Sequence, residues 1–162
     1  MAQIRHIAIQ TQDEEATKQF YVENFGLQVV RKLDSERTSG YFLTDGHINL
    51  AILRFKNDVV AGKERGTGWS GIHHIGFQVE SLEEMTAKLE KSGVAKPRDD
   101  INVALGLGPG GAPAGHGNVE VRYAGPDNVN FDISQTGWLG TSSNKAPEKV
   151  DSAAPGVLAA TT

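Results

Sequence analysis

The stretch "HIGFQV", His74 to Val79, repeats "HIAIQT", His6 to Thr11, as histidine, apolar, small, apolar, glutamine. The residues after each copy also correspond. The first copy leads into "TQDEEATKQFYVENFG", where Thr11 and Glu14 have capping-box spacing. Ala16, Phe20, Tyr21 and Phe25 give it a helical apolar stripe, and Gly26 stands where a left-handed C-terminal cap belongs. The second leads into "SLEEMTAKLEKSG", with Ser81 and Glu84 as the box, Leu82, Met85 and Leu89 as the stripe, and Gly93 at the end. The spacing from His6 to His74 and from Gly26 to Gly93 differs by one residue. A unit has been written twice.

Each unit continues into strands. "LQVVRKL" reads as one, and "GYFLTDGHINLAIL" reads as a hairpin turning at Asp45-Gly46. In the second half "NVEVRYAGPDNVNFDIS" reads as a hairpin turning at Pro126-Asp127-Asn128, preceded by an ill-marked strand between Gly93 and Gly106. The expected architecture is α+β: a domain over 1–139, with module 1 over about 3–55, a polar connector over 56–70 and module 2 over about 71–137. Residues 140–162, rich in Ser, Ala, Pro and Thr without periodicity, read as a flexible tail.

Side chains alternate along a strand, so the two faces can be separated. Ile7, Ile9, Ile75, Phe77 and Val79 share the phase that helices must cover; His6, Ala8, Gln10, His74, Gly76 and Gln78 share the other. On the last strand of each unit the same division puts Asn49 and Ala51, then Asp132 and Ser134, with the histidines. Asn49 and Asp132 read as equivalent positions of the repeat. A small residue beside each histidine suggests a cleft with room for a ligand. Two imidazoles and a carboxylate, with an optional amide oxygen, form a credible divalent-metal set: His6, His74, Asp132 and Asn49. Asn49 reads equally well as a residue that ties down a turn. His73 and His47 read as structural, and His116 falls in the glycine-rich stretch Gly106 to Gly117, which reads either as a connection or as a lid over substrate.

Composition removes several alternatives. Apolar content of 38% and charged content of 22% are those of an ordinary soluble globular chain. A net charge of -4 without a Lys/Arg stripe argues against nucleic acid as a partner. The chain has no cysteine, which excludes disulfides, thiol nucleophiles and thiolate metal sites. No apolar run suits a membrane span and the start has no signal-peptide core, so the expected location is cytoplasmic.

Taken together, "IRHIAI", "FYVENFGL", "GIHHIGFQVESLEE", "LEKSGV" and "GPDNVNFDIS" resemble the vicinal oxygen chelate superfamily, which includes glyoxalase I, methylmalonyl-CoA epimerase, extradiol dioxygenases and bleomycin-resistance proteins. The resemblance implies paired βαβββ modules forming a cupped mixed sheet around one divalent ion (Fe, Mn, Co, Ni or Zn), and a homodimer. Family ligand positions match His6, His74 and Asp132, although the terminal ligand is usually Glu and the ligand ending the first module is usually Glu or Gln, where Asn49 stands here. The implied chemistry is that of a lyase or isomerase: an ion chelates two adjacent oxygens of a small substrate and an enediolate is stabilised. The alternatives are an Fe(II) or Mn(II) extradiol dioxygenase on the His6, His74, Asp132 triad, and a non-catalytic small-molecule binder. For the general base, the resemblance implies a carboxylate on the middle strand of module 1. That stretch offers only Tyr41, so Glu120 and His116 stand as substitutes.

Overall fold

The computed structural model describes residues 1–106 and 120–142. The expected lid over Gly106–Gly117, apart from Gly106, lies outside these residues, as do His116 and the tail from residue 143. Strand β1 (Gln3–Gln10) leads to helix α1 (Glu14–Phe25), then to β2 (Gln28–Asp34), β3 (Thr38–Thr44) and β4 (Asn49–Phe55). After the short α2 (Asp58–Ala61), the second unit runs β5 (Gly71–Gln78), α3 (Leu82–Ser92), β6 (Lys96–Pro97), α4 (Asp99–Ala104), β7 (Val121–Ala124) and β8 (Asn130–Ser134). A 3-10 turn over Pro126–Asn128 joins the last pair of strands.

The eight strands among the described residues form one mixed sheet in the order β2-β3-β4-β1-β5-β8-β7-β6. Within each unit the first strand pairs parallel with the last, and the two units join where β1 meets β5 antiparallel. That central pairing matters most for the site. His6 lies opposite Gly76 and His74 opposite Ala8, so each histidine faces the small residue of the other copy. The two imidazoles stand on one face as diagonal neighbours, within reach of long side chains.

The outer face is covered as the alternation requires. Ile9, Leu50 and Ile52 pack with Tyr41, Leu43, Tyr21 and Val22 under α1, and Phe77, Val79, Phe131 and Ile133 pack with Leu82, Met85 and Leu89 under α3. The helix ends follow the glycines, with Gly26 and Gly93 both left-handed at φ 69°. Ser81 caps α3 by accepting from the Glu84 amide.

Several local expectations are corrected. The cap of α1 is Asp13, whose carboxylate accepts from the Ala16 amide, while the Thr11 hydroxyl bonds Thr17. Asp13 reaches the first turn with a charge, which the helix dipole favours over a neutral hydroxyl. Phe20 and Phe25 do not join the stripe; they are 52% and 66% exposed, because Tyr21 and Val22 are the residues that face the sheet. The strand expected between Gly93 and Gly106 is only the two residues of β6, and the six-residue helix α4 follows it. Pro97 limits the ladder, and Asp99 and Asp100 favour a helix start. Asp45 begins a four-residue connection, not a two-residue turn, because its carboxylate captures the amides of His47 and Ile48. Residues Gly140 and Thr141 are tied to the fold: Thr44 donates to the Gly140 carbonyl and Thr141 is buried.

The concave face is also filled, by the connector. Val60 and Ala61 of α2 pack on Ala8, Ala51, Leu53 and Phe55, and α2 touches α4. Arg98, beside α4, holds Glu64 of the connector with both guanidinium nitrogens at 2.7 and 3.0 Å. A segment that reads as a polar linker therefore closes one end of the cup.

Candidate metal centre

His6, on β1, and His74, on β5, bring their Nε2 atoms to 3.1 Å. The surrounding hydrogen bonds assign the protons. Asn49 donates through Nδ2 to the Leu139 carbonyl, so its Oδ1 faces His6 and accepts from His6 Nδ1 at 2.8 Å. His73 donates from Nε2 to the Ala61 carbonyl at 2.7 Å, which leaves its Nδ1 bare to accept from His74 Nδ1 at 2.7 Å. In both site histidines the proton sits on Nδ1, and both Nε2 lone pairs point into the same space.

Two unprotonated nitrogens at that distance repel unless a positive centre lies between them, and the Arg122 N–H that His74 Nε2 accepts at 3.0 Å serves only that one of the pair. A proton is a poor candidate, because burial is the largest influence on both rings. It lowers His6 to about 4, and it lowers His74 well below its ordinary value with the Arg122 charge assisting. A metal ion fits: ligand nitrogens at about 2.0–2.1 Å from one centre lie roughly 3.0–3.4 Å apart in adjacent positions. Neutral imidazoles also need lose no proton to bind it.

The acids arrange themselves in an unexpected way. Asp132, on β8, is 1% exposed and lies 3.3 Å from His74 Nε2. Both of its oxygens are gripped by Arg122, with Nε to Oδ1 at 2.7 Å and Nη2 to Oδ2 at 2.8 Å. Burial works against the Asp132 carboxylate, but the Arg122 guanidinium outweighs it and holds the group well below the usual range. Arg122 Nη2 also reaches His74 Nε2 at 3.0 Å. Among the described residues, the group whose donor atoms come within 4.8 Å of one another is His6, His74 and Glu120, with Glu120 only half-buried. Burial, followed by the charge of Asp132, raises Glu120 to about 8.

The sequence profile of the Glyoxalase/Bleomycin resistance protein/Dioxygenase superfamily matches residues 3–133. The chain belongs to this superfamily. The Bacillus subtilis protein YwkD is 31% identical over 96 residues, which is 56% of this chain and 72% of YwkD. Among solved structures, the hypothetical protein BH1468 from Bacillus halodurans C-125 superposes with a TM-score of 0.64 at 19% identity, over 91% of this chain and 99% of that one. A Streptomyces coelicolor methylmalonyl-CoA epimerase in complex with 2-nitronate-propionyl-CoA superposes at 0.63 and 21% identity, over 81% and 94%. At those identities the likeness is one of fold.

Within the superfamily frame, several predicted positions take a different part. Asn49 spends its amide on His6 and on the Leu139 carbonyl, so it acts as an orienting residue. Its counterpart by register is Asn130, not Asp132: His6 pairs with Asn49 along β4, whereas Gly76, two residues after His74, pairs with Asp132 along β8. The room beside the histidines is occupied by protein. Trp138 is fully buried and stacks on His6 at 4.9 Å with 7° between the rings, over the space left by Gly76. Ala8 and Ala51 lie in the packed cluster with α2. Gln10 holds the connector through the Gly66 carbonyl, Gln78 bonds the Gln135 carbonyl, and Ser134 accepts from the Gly137 amide. Tyr41 lies on the opposite face under α1, where its hydroxyl donates to Glu15.

Sequence reasoning missed Arg122 and undervalued His73. Arg122 had a signal, since it pairs with Asp132 across the β7–β8 ladder and so shares its face. The alternation that places Asp132 also places Arg122. His73 had none, because a bulge between Ala8 and Ile9 turns it beside its neighbour.

Proposed function

We propose that this chain is a metal-dependent lyase or isomerase acting on a small substrate with two adjacent oxygens, by proton transfer next to a carbonyl. The observation that carries the reading is the pair of unprotonated Nε2 atoms of His6 and His74, 3.1 Å apart, both buried and with the Arg122 guanidinium donating to that of His74. A divalent ion held there would supply Lewis-acid stabilisation of a developing enolate oxygen. The chain's own residues prepare the place. Asn49 and His73 fix the ring tautomers, Trp138 packs His6 in its plane, and Arg122 keeps a permanent positive charge beside the pocket. A homodimer belongs to the same reading, with exposed Phe20 and Phe25, in ring contact on α1, as the apolar pair to examine for it.

The likeness to an epimerase acting on a CoA ester puts acyl-CoA esters first among substrates to try, with hemithioacetals second. The test is elemental analysis of the purified chain, then deuterium uptake from D2O at the carbon next to the carbonyl. The expected result is close to one metal ion per chain and metal-dependent exchange with a member of this panel. Absence of bound metal after reconstitution would sink the proposal. Oxygen uptake with ring cleavage of catechols would instead favour the dioxygenase reading that two histidines and a carboxylate also permit.

A further inference from the structure

We infer that the carboxylate ligand of the cation is Glu120, not Asp132, and that Asp132 serves as the counter-ion of Arg122. The inference rests on the proposed metal function. Glu120 and Asp132 share a face. Arg122 faces Asp132 in the β7–β8 register, and Glu120, just before β7 begins, hydrogen-bonds Asp132 through its carboxyl group.

Their engagements differ. Asp132 meets Arg122 fork to fork, each oxygen on a separate nitrogen at 2.7 and 2.8 Å, in the geometry favoured for the strongest charge-assisted pairs. The pairing is set by backbone register, and both side chains are nearly inaccessible at 4% and 1%. A guanidinium does not give up its proton. A cation bridging His74 and Asp132 would therefore sit against a fixed positive charge, because Arg122 Nη2 already stands 3.0 Å from His74 Nε2. Glu120 carries no such fork. One of its oxygens lies within 4.8 Å of a ring nitrogen of each histidine. It lies just before β7 begins, outside the ladder, and its side chain is one methylene longer than that of Asp132. It can close on an ion without disturbing the sheet.

The arrangement also gives Arg122 a definite part. It converts the acid of β8 from a metal donor into a positioning residue and leaves a net charge on the metal set that depends on Glu120 alone.

The test measures Co2+ affinity of the full chain by competition with a chromophoric chelator, in wild type and in two variants. Glu120→Gln is expected to weaken Co2+ by more than about 100-fold, beyond the roughly 10–100-fold typical of losing an outer-shell partner. Asp132→Asn leaves Arg122 unpaired and can fail to fold, so the second variant is the charge-neutral pair Arg122→Gln with Asp132→Asn. It is expected to bind Co2+ with an affinity close to that of wild type, because the positive and negative charges leave together and Glu120 remains. The inference is overturned if the paired variant loses the metal while Glu120→Gln keeps it, or if both lose it alike. Should wild type itself bind no Co2+, the metal reading falls and this assignment falls with it. Retention by Glu120→Gln leaves that reading standing and removes only the ligand assignment.

Discussion

Replacing Gly76 by alanine tests how tightly β5 packs behind His6. A β-carbon there would come within 2.6 Å of Trp138 Cη2 and Cζ2 and 2.7 Å of His6 Cβ. Carbon atoms rest about 3.5–4.0 Å apart, so roughly 1 Å must be found somewhere. Neither neighbour can easily supply it: Trp138 is 0% exposed, His6 is 2% exposed, and the rings are stacked on each other. Overpacking of this kind costs about 1–3 kcal/mol, and three simultaneous contacts argue for the upper end, near 3 kcal/mol. For a chain of this size each kcal/mol lowers Tm by about 2–4 °C, so a fall of about 6–12 °C is expected. Melting should be monitored by circular dichroism in EDTA, so that metal linkage does not contribute. Gly68→Ala is the control, because a β-carbon there meets nothing within 4 Å. It should change stability by no more than about 0.5 kcal/mol. Trp138→Phe removes the two colliding ring atoms, so the double variant should be more stable than the sum of the single effects by at least about 1 kcal/mol. Equal melting of Gly76→Ala and Gly68→Ala would refute the close approach of β5 to the stacked rings.

The pocket also sets a pH dependence. His6 and His73 are lowered to about 4, chiefly by burial, and His74 is lowered too, so the unfolded chain binds more protons than the folded one from about pH 4 to 6.5. Stability rises with pH across that window. Glu120, raised to about 8 from 4.5, has the opposite sign, and above pH 6.5 it acts without the histidines. Metal-free protein should therefore be most stable near pH 6.5, and a Tm that climbs steadily from pH 6.5 to 8 would contradict this. Asn49→Ala should weaken metal binding by about 10–100-fold with a smaller effect on melting, since it frees the His6 tautomer without touching the ion. Isothermal titration with Zn2+ measures that loss. Adding metal at about 100 times its dissociation constant should stabilise the chain by about 2.7 kcal/mol, or about 5–11 °C, and EDTA should reverse it.

Much of this architecture is legible in the sequence because it depends on local rules. The repeated "HIAIQ" and "HIGFQ", the glycines that end α1 and α3, and the period of two along β1 and β5 dictate two copies of one unit with both histidines on a shared face. The pairing of His6 with His74 is readable from residues alone. The part each neighbour plays is not, because it depends on register between segments distant in the chain. Asn49 becomes the partner of His6 through a parallel pairing across α1, and Trp138 fills the gap beside Gly76 from beyond the last strand. The connector became a wall of the cup because Val60 and Ala61 could bury themselves on Ala8 and Ala51. Most consequentially, composition presents Asp132 and Glu120 as two similar acids. Both lie near the imidazoles, and only the β7–β8 ladder, by setting Arg122 directly across from Asp132, distinguishes the acid that is paired with a guanidinium from the one that is not. Charge pairing in a buried site is decided by which backbone atoms are adjacent, and adjacency between strands is not written in either strand alone.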